Sequence, residues 1–129
     1  MSLQRLSSGG PWEEIVGYCR AVVAGPWVLV SGSTATVEGR VVGVGDMYAQ
    51  TVAAFGVALD GLRRTGLDVP DVVRTRIYLT DMGRQPEAGR AHHELFAAHP
   101  PANTTVEVSA LAHPDHLVEV EIDAYREPV

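Results

Sequence analysis

Three carboxylates share one side of a short stretch near the end of the chain. In "LVEVEIDAY", Leu117 to Tyr125, the residues Glu119, Glu121 and Asp123 alternate with Val118, Val120, Ile122 and Ala124. A period of two is the signature of a strand with two unlike faces. Like charges lined up on one strand face repel unless water or partners separate them. The pattern admits a solvated sheet face, or a cleft in which one carboxylate holds a water or a proton. A second polar group, Asn103, Thr104 and Thr105, precedes the alternating Val106, Val108 and Ala110 in "PPANTTVEVSAL". Turn chemistry accounts for these residues, and so do hydrogen-bond donors and acceptors aimed at a ligand.

Other reactive side chains carry less. Five histidines are present, His92, His93, His99, His113 and His116. The first two are adjacent and diverge on a helix, and none has zinc-ligand spacing. They read as surface or interface residues, and no metal is expected. Cys19 falls in a strand-like run, where an inert thiol is expected rather than a nucleophile. Ser31 in "VSGS" lacks the Gly-x-Ser-x-Gly elbow. "GRVVGVGD" lacks the spacing and the Lys-Ser/Thr of a phosphate-binding loop.

The elements that must position these groups follow from periodicity and breakers. Tyr18 to Val23 and Trp27 to Gly32 are β-type runs joined through Ala24-Gly25-Pro26, a hairpin pattern. Asp46 is a helix N-cap and Gly66 a C′ stop, with Tyr48, Val52, Phe55, Leu59 and Leu62 as the apolar face between them. Val72 to Thr80 is a strand with Val73, Thr75, Ile77 and Leu79 on one face. A second helix runs from about Gln85 to Ala98, with Ala88, Ala91, Leu95 and Phe96 inward, and Pro100-Pro101 closes it. The strands of Asn103 and Glu121 complete the order β-β-α-β-α-β-β. Two helices against one mixed sheet make an α+β layer architecture. One sheet face is left without a covering layer, and self-association covers such a face.

Composition sets the outer limits. The 129 residues, 46% of them hydrophobic, suffice for one domain over 1–129 with a core of its own. A net charge of -6 with only ten, scattered basic residues argues against a nucleic-acid partner. A single cysteine permits no intramolecular disulfide. With no secretory signal and no apolar run of membrane-spanning length, a cytoplasmic location and no membrane partner are expected.

Six pieces, in this order, resemble one family. They are "VLVSGST" (Val28 to Thr34), "DMYAQTVAAF" (Asp46 to Phe55), "LRRTGLDVPDVVRTRIYLTDM" (Leu62 to Met82), "HELF" (His93 to Phe96), "PANTTVEV" (Pro101 to Val108) and "LVEVEIDA" (Leu117 to Ala124). Together they are similar to the Rid family, also called YjgF/YER057c/UK114, of imine and enamine deaminases. The resemblance runs from about Tyr18 to Ala124. It implies a chorismate-mutase-like α+β fold and a homotrimer with ligand clefts between subunits. It further implies that a glutamate on the last strand orients the water that attacks an imine carbon, and by position this is Glu121. Tyr18, Ser31, Gly32 and Thr105 would line the cleft. No cofactor is implied.

At one position the chain departs from the pattern. Active members use an arginine at a strand entrance to clamp the substrate carboxylate, and Asn103 stands there instead. Asparagine carries no charge and offers no guanidinium fork. A charge-assisted bond contributes roughly 1.5–3 kcal/mol against about 1 kcal/mol for a neutral one, so the exchange costs one or two orders of magnitude in carboxylate affinity. Arg90 on the second helix would compensate if it pointed inward; otherwise it is a solvated helical arginine. Two functions fit this set. One is a divergent hydrolase of imines, enamines or related small metabolites. The other is a trimer that binds small molecules without catalysis.

Overall fold

The computed structural model describes residues 3–128. Its centre is a six-stranded sheet of order β1-β2-β3-β8-β6-β7. The strands are β1 (Gln4–Leu6), β2 (Ala21–Ala24), β3 (Trp27–Thr34), β6 (Val72–Leu79), β7 (Ala102–Glu107) and β8 (Val118–Tyr125). All neighbours run antiparallel except β6 and β7, which are parallel and joined by a helix. A small ribbon of β4 (Thr36–Val37) and β5 (Arg40–Val41) projects beyond β3. Its turn holds Glu38 and Gly39 at φ of 52° and 78°, the positive pair that a type I′ hairpin demands.

Helices α2 (Met47–Arg63) and α3 (Gln85–Phe96) cover one face. Asp46 caps α2 by accepting from the Ala49 amide at 3.0 Å. The core lies between these helices and the sheet, where Phe55, Leu59, Leu62 and Phe96 meet Val28, Ile77, Val120 and Ile122. Phe55 and Phe96 pack edge to face with centroids 5.3 Å apart. Among the described residues the other face has no second layer. Trp27 and Leu29 are each 45% exposed there, beside an Arg76–Asp123 ion pair of 3.1 Å.

Several expectations from sequence are corrected. A third helix, α1 (Pro11–Val16), precedes the β2–β3 hairpin. Six residues between Gly10 and Gly17, with Trp12, Ile15 and Val16 turned outward, leave no amphipathic signal to detect. Cys19 lies in the connection after α1 rather than in a strand. The buried side of α2 is rotated from the predicted one. Val52 is 41% exposed and Tyr48 only half-buried, while Met47, Gln50, Thr51, Ala54 and Ala58 face the core. Small and amide side chains at those positions hid that face. The helix also stops at Arg63, and Gly66, at φ 90°, closes the turn after it. In β6 a bulge between Val72 and Arg74 buries Val72 and exposes Val73, reversing the predicted pair. α3 ends at Phe96, two residues before the expected stop.

One buried amide fixes the entry to β8. Gln50 Nε2 donates to the Asp115 carbonyl and the Leu117 amide donates to Gln50 Oε1, both at 2.8 Å. Burying an amide with donor and acceptor both satisfied is cheap, whereas losing either partner is costly. This bracket sets the register in which Glu119 and Glu121 leave the sheet.

Candidate functional site

The alternation of β3 breaks at Ser31-Gly32. Val30 pairs with Ile122 and Ser33 with Val120, so Ser31 and Gly32 together oppose Glu121 alone. This β-bulge bends the strand and re-aims its neighbours. The Ser31 hydroxyl turns back and donates to the Cys19 carbonyl at 2.6 Å, while the Ser31 amide donates to the Arg20 carbonyl at 3.0 Å. The segment before β2 is thereby tied to the bulge. Arg20 completes the link: its Nη2 donates to the carbonyls of Ser31 and Gly32 at 2.6 and 2.7 Å.

Gly32 is glycine because of what lies on it. A Cβ there would overlap Glu119 Oε2 and stand 3.1 Å from its carboxyl carbon. No positive φ demands glycine at this position, so the close approach of the carboxylate is the reason. Across the groove, a Cβ on Gly61 of α2 would come within 3.2 Å of the Arg20 stem. Two glycines therefore make room for the two charged side chains.

Arg20, Gly32 and Glu119 line a groove of about 1180 Å³, together with Tyr18, Trp12 and Gly61. The size suits a small molecule with space to spare. Burial pushes the Glu119 pKa up and the neighbouring Glu121 adds to the rise, with Arg20 opposing it. Burial likewise pulls the Arg20 pKa down, against the nearby Tyr18, Glu13 and Glu119. The groove thus holds a carboxylate with raised proton affinity near a guanidinium.

The residues selected from sequence are divided within the chain. Tyr18 and Gly32 line this groove, and Ser31 supports it through its backbone and its bond to Cys19. Glu121 does not line it; its carboxylate accepts from the Tyr78 hydroxyl. That bond raises the Tyr78 pKa first of all, with burial and the Glu121 charge adding to it. Asn103 and Thr105 line a different pocket of about 320 Å³ under α3, with His92, His93 and Pro100. There Thr105 donates to Asn103 Oδ1 at 3.1 Å, Asn103 Nδ2 donates to Thr75 Oγ1 at 3.0 Å, and His92 Nε2 lies 2.8 Å from the same hydroxyl. Arg90 lines neither pocket, its guanidinium stacking 3.8 Å over the Tyr48 ring.

Two histidines depart from the surface reading. His116 is buried and bonded to Thr36 at 2.8 Å, and His92 is half-buried. Burial lowers the pKa of both, with a neighbouring histidine adding to it in each case, His93 for His92 and His113 for His116. Among the described residues no three His, Cys, Asp or Glu side chains are grouped to hold a metal ion. No helix among them is long and apolar enough to cross a membrane.

Sequence reasoning missed Arg20 and Gly61, and it chose Glu121 over Glu119. A period of two places both glutamates on one face and cannot separate them. The signal that could have done so is Gly32, whose missing side chain marks a close approach.

Comparison with known proteins agrees with this architecture. The family described as endoribonuclease L-PSP matches residues 11–126. An uncharacterised protein of Streptomyces coelicolor is 42% identical over 125 residues, covering 97% of this chain and 93% of its own. A crystal structure of a YjgF/YER057c/UK114 family member from Mycobacterium tuberculosis is 43% identical with a TM-score of 0.87, covering 96% of this chain and 99% of that one. A Rid family protein of unknown function from Yersinia pestis is 25% identical with a TM-score of 0.84, over 96% and 99% of the two chains. The fold is accordingly the chorismate-mutase-like α+β fold of these proteins, and the chain belongs to the Rid family, YjgF/YER057c/UK114.

Proposed function

We propose that this protein hydrolyses a small imine or enamine in the groove beside the β3 bulge, with Glu119 as the group that activates water. The observation that carries the reading is the Glu119 carboxylate seated against Gly32 with its pKa raised by burial. A carboxylate tuned upward is a better proton acceptor near neutral pH than an ordinary one. In the proposed step, water adds to the imine carbon as its proton passes to the Glu119 carboxylate. The protonated carboxyl returns that proton to nitrogen to give the neutral carbinolamine; the carboxylate then takes the hydroxyl proton and passes it to nitrogen as the C–N bond breaks and the carbonyl forms. The balance is one water consumed, one carbonyl compound formed and one ammonia released. The chain has no lysine, so no lysine side chain competes with water as the attacking group.

This assignment moves the role from Glu121 to its neighbour two residues earlier. Glu121 is held by Tyr78 and is better placed to order the open sheet face. That face, with Trp27, Leu29 and Val106 exposed around the Arg76–Asp123 pair, supports assembly of subunits through the sheet. Sedimentation is expected to give three times the 13.8 kDa chain mass, and a monomer at micromolar concentration would remove this part of the reading.

The function is tested by generating imines in situ and following ammonia release against buffer alone. Acceleration by the wild type supports hydrolysis. If a panel of imino acids and neutral imines shows none, the hydrolase reading fails. The second reading, a non-catalytic small-molecule-binding protein, is favoured by the neutral Asn103 in its own hydrogen-bonded pocket. It is recognised by ligands that raise the melting temperature and are recovered unchanged.

A further inference from the structure

The Gln50 bracket encloses a side chain that the fold does not otherwise use. His116 stands between the Asp115 carbonyl and the Leu117 amide, both held by Gln50, and is itself only 7% exposed. Its backbone is thus fixed to α2, while its Nε2 lies 2.8 Å from Thr36 Oγ1 of β4, 80 positions away. Thr36 Oγ1 lies in turn 3.2 Å from Thr34 Oγ1, and Thr34 pairs with Glu119 across β3 and β8. Directly opposed residues share a face of the sheet. Three linked side chains therefore run from the buried ring to the strand position facing Glu119, and all three line the groove.

The ribbon of β4 and β5 depends on this link. Residues 36–40 are exposed, yet Thr36, Val37, Glu38 and Gly39 form one wall of the groove. Among the described residues, Thr36 makes the only hydrogen bonds of residues 36–41 outside the ribbon's own ladder, to His116 and to nearby Thr34. A two-stranded ribbon by itself is marginal in water. We infer that His116 is the positioning residue that holds the ribbon as a wall of the groove, and that only its neutral ring does so, so that the groove opens on acidification. Nδ1 is closed off from solvent with no hydrogen-bond partner among the described residues. A neutral ring donating from Nε2 to Thr36 leaves only a lone pair at that spot. Protonation places a charge and an unpaired N–H there, which is much the costlier state. The charges felt at the ring are His113, which opposes its protonation, and Asp115, which favours it. From α2 comes the neutral Gln50, from β3 and β4 come threonines, and Glu119 and Glu38 line the same groove. Burial first, and then His113, lower the ring's pKa against the pull of Asp115. The closed ribbon is therefore favoured in full above the ordinary value of 6.5. Its advantage declines as pH falls from there, by up to about tenfold per unit, until the lowered value is passed. This deepens the reading of the groove as the site of action, and rests on it only for the consequence for turnover.

The test is amide hydrogen exchange in the unliganded wild type at pH 7.5 and 5.5, with rates corrected for the intrinsic effect of pH. The ribbon amides of Val37, Arg40 and Val42 are expected to open separately from Val120 in β8, and to lose about three- to tenfold in protection at the lower pH. Ribbon protection that does not change with pH overturns the inference, and so does ribbon exchange no faster than that of Val120. His116→Gln keeps a donor for Thr36 and cannot titrate. It is expected to abolish the pH dependence, and a ribbon that still loosens on acidification in this variant counts against the role of the ring. Should His116→Gln not fold, Thr36→Val on the exposed ribbon decides. Its ribbon protection at pH 7.5 is expected to fall toward that of the acidified wild type, and unchanged protection overturns the inference. Where an imine is turned over, KM is expected to rise on acidification more in the wild type than in His116→Gln. Turnover with a ribbon indifferent to pH leaves the hydrolase reading standing alone. A ribbon released by acid, with no turnover, leaves the role of His116 standing without it.

Discussion

Replacing Glu119 with glutamine is expected to slow imine hydrolysis by about 10²–10⁴-fold, the range a positioned general base contributes. Glutamine keeps the shape of the side chain and its contact with Gly32 but cannot take a proton. The folded state should not suffer for it. The Glu119 pKa is raised on folding, chiefly by burial and further by Glu121, so the folded chain holds its proton more tightly than the unfolded one. Stability contributed by this group is therefore full below the unfolded value of about 4.5 and declines as pH rises from there through the folded pKa. As pH rises above 4.5 the folded site increasingly opposes ionisation of this carboxyl, a burden that glutamine does not carry. Urea unfolding at pH 7 should find Glu119→Gln at least as stable as the wild type. A variant with full turnover would mean that the proton acceptor lies elsewhere.

Gly32→Ala should separate position from identity. The added Cβ overlaps Glu119 Oε2 and crowds the carboxyl carbon at 3.1 Å. The obstacle is the far end of a flexible side chain, and the backbone at Gly32 is not left-handed. The chain can accept the methyl group by swinging the carboxylate aside, at a stability cost of about 1 kcal/mol. Turnover is expected to fall nearly as far as in Glu119→Gln, although every ionisable group is still present. A melting temperature within a few degrees of the wild type, with turnover down about 100-fold, is the expected pair of results. Full turnover in Gly32→Ala would show that the seat of Glu119 at the bulge has no bearing on the chemistry.

The fold was far more legible than the site. The faces of β8 were readable because Val118, Val120, Ile122 and Ala124 are buried without exception and the carboxylates between them are not. The start of α2 was readable from Asp46, since a carboxylate before a periodic run is local chemistry. Its inward face was misjudged where burial falls on Ala54, Ala58, Gln50 and Thr51, residues that carry weak hydrophobic signals of their own. Gln50 is buried because two backbone groups sixty and more positions away need it, which no local pattern reveals.

The site depended on a non-local irregularity. "VSGS" reads as a strand fading into a loop, whereas β3 continues through it by way of the bulge to Thr34. Only with that bulge in place does Gly32 meet Glu119 rather than leaving Glu119 and Glu121 equivalent. Arg20 had no periodic partner in "GYCRAV", and its place beside the bulge comes from its bonds to the Ser31 and Gly32 carbonyls, eleven and twelve positions on. Asn103 and Thr105 were expected at the mouth of a ligand cleft; within the chain Asn103 bonds to Thr75 and Thr105 to Asn103, in a pocket separate from the groove.

Where this protein receives its ligand is tested most directly by proton–nitrogen NMR, mapping backbone amide shifts as the carbonyl product of the imine it turns over fastest is titrated into the labelled wild type. The largest changes are expected at Arg20, Gly32 and Glu119, with Asn103, Thr105 and His92 moving less. Shifts centred on the Asn103 pocket, with the bulge of β3 unmoved, would contradict the assignment of the groove as the site of action.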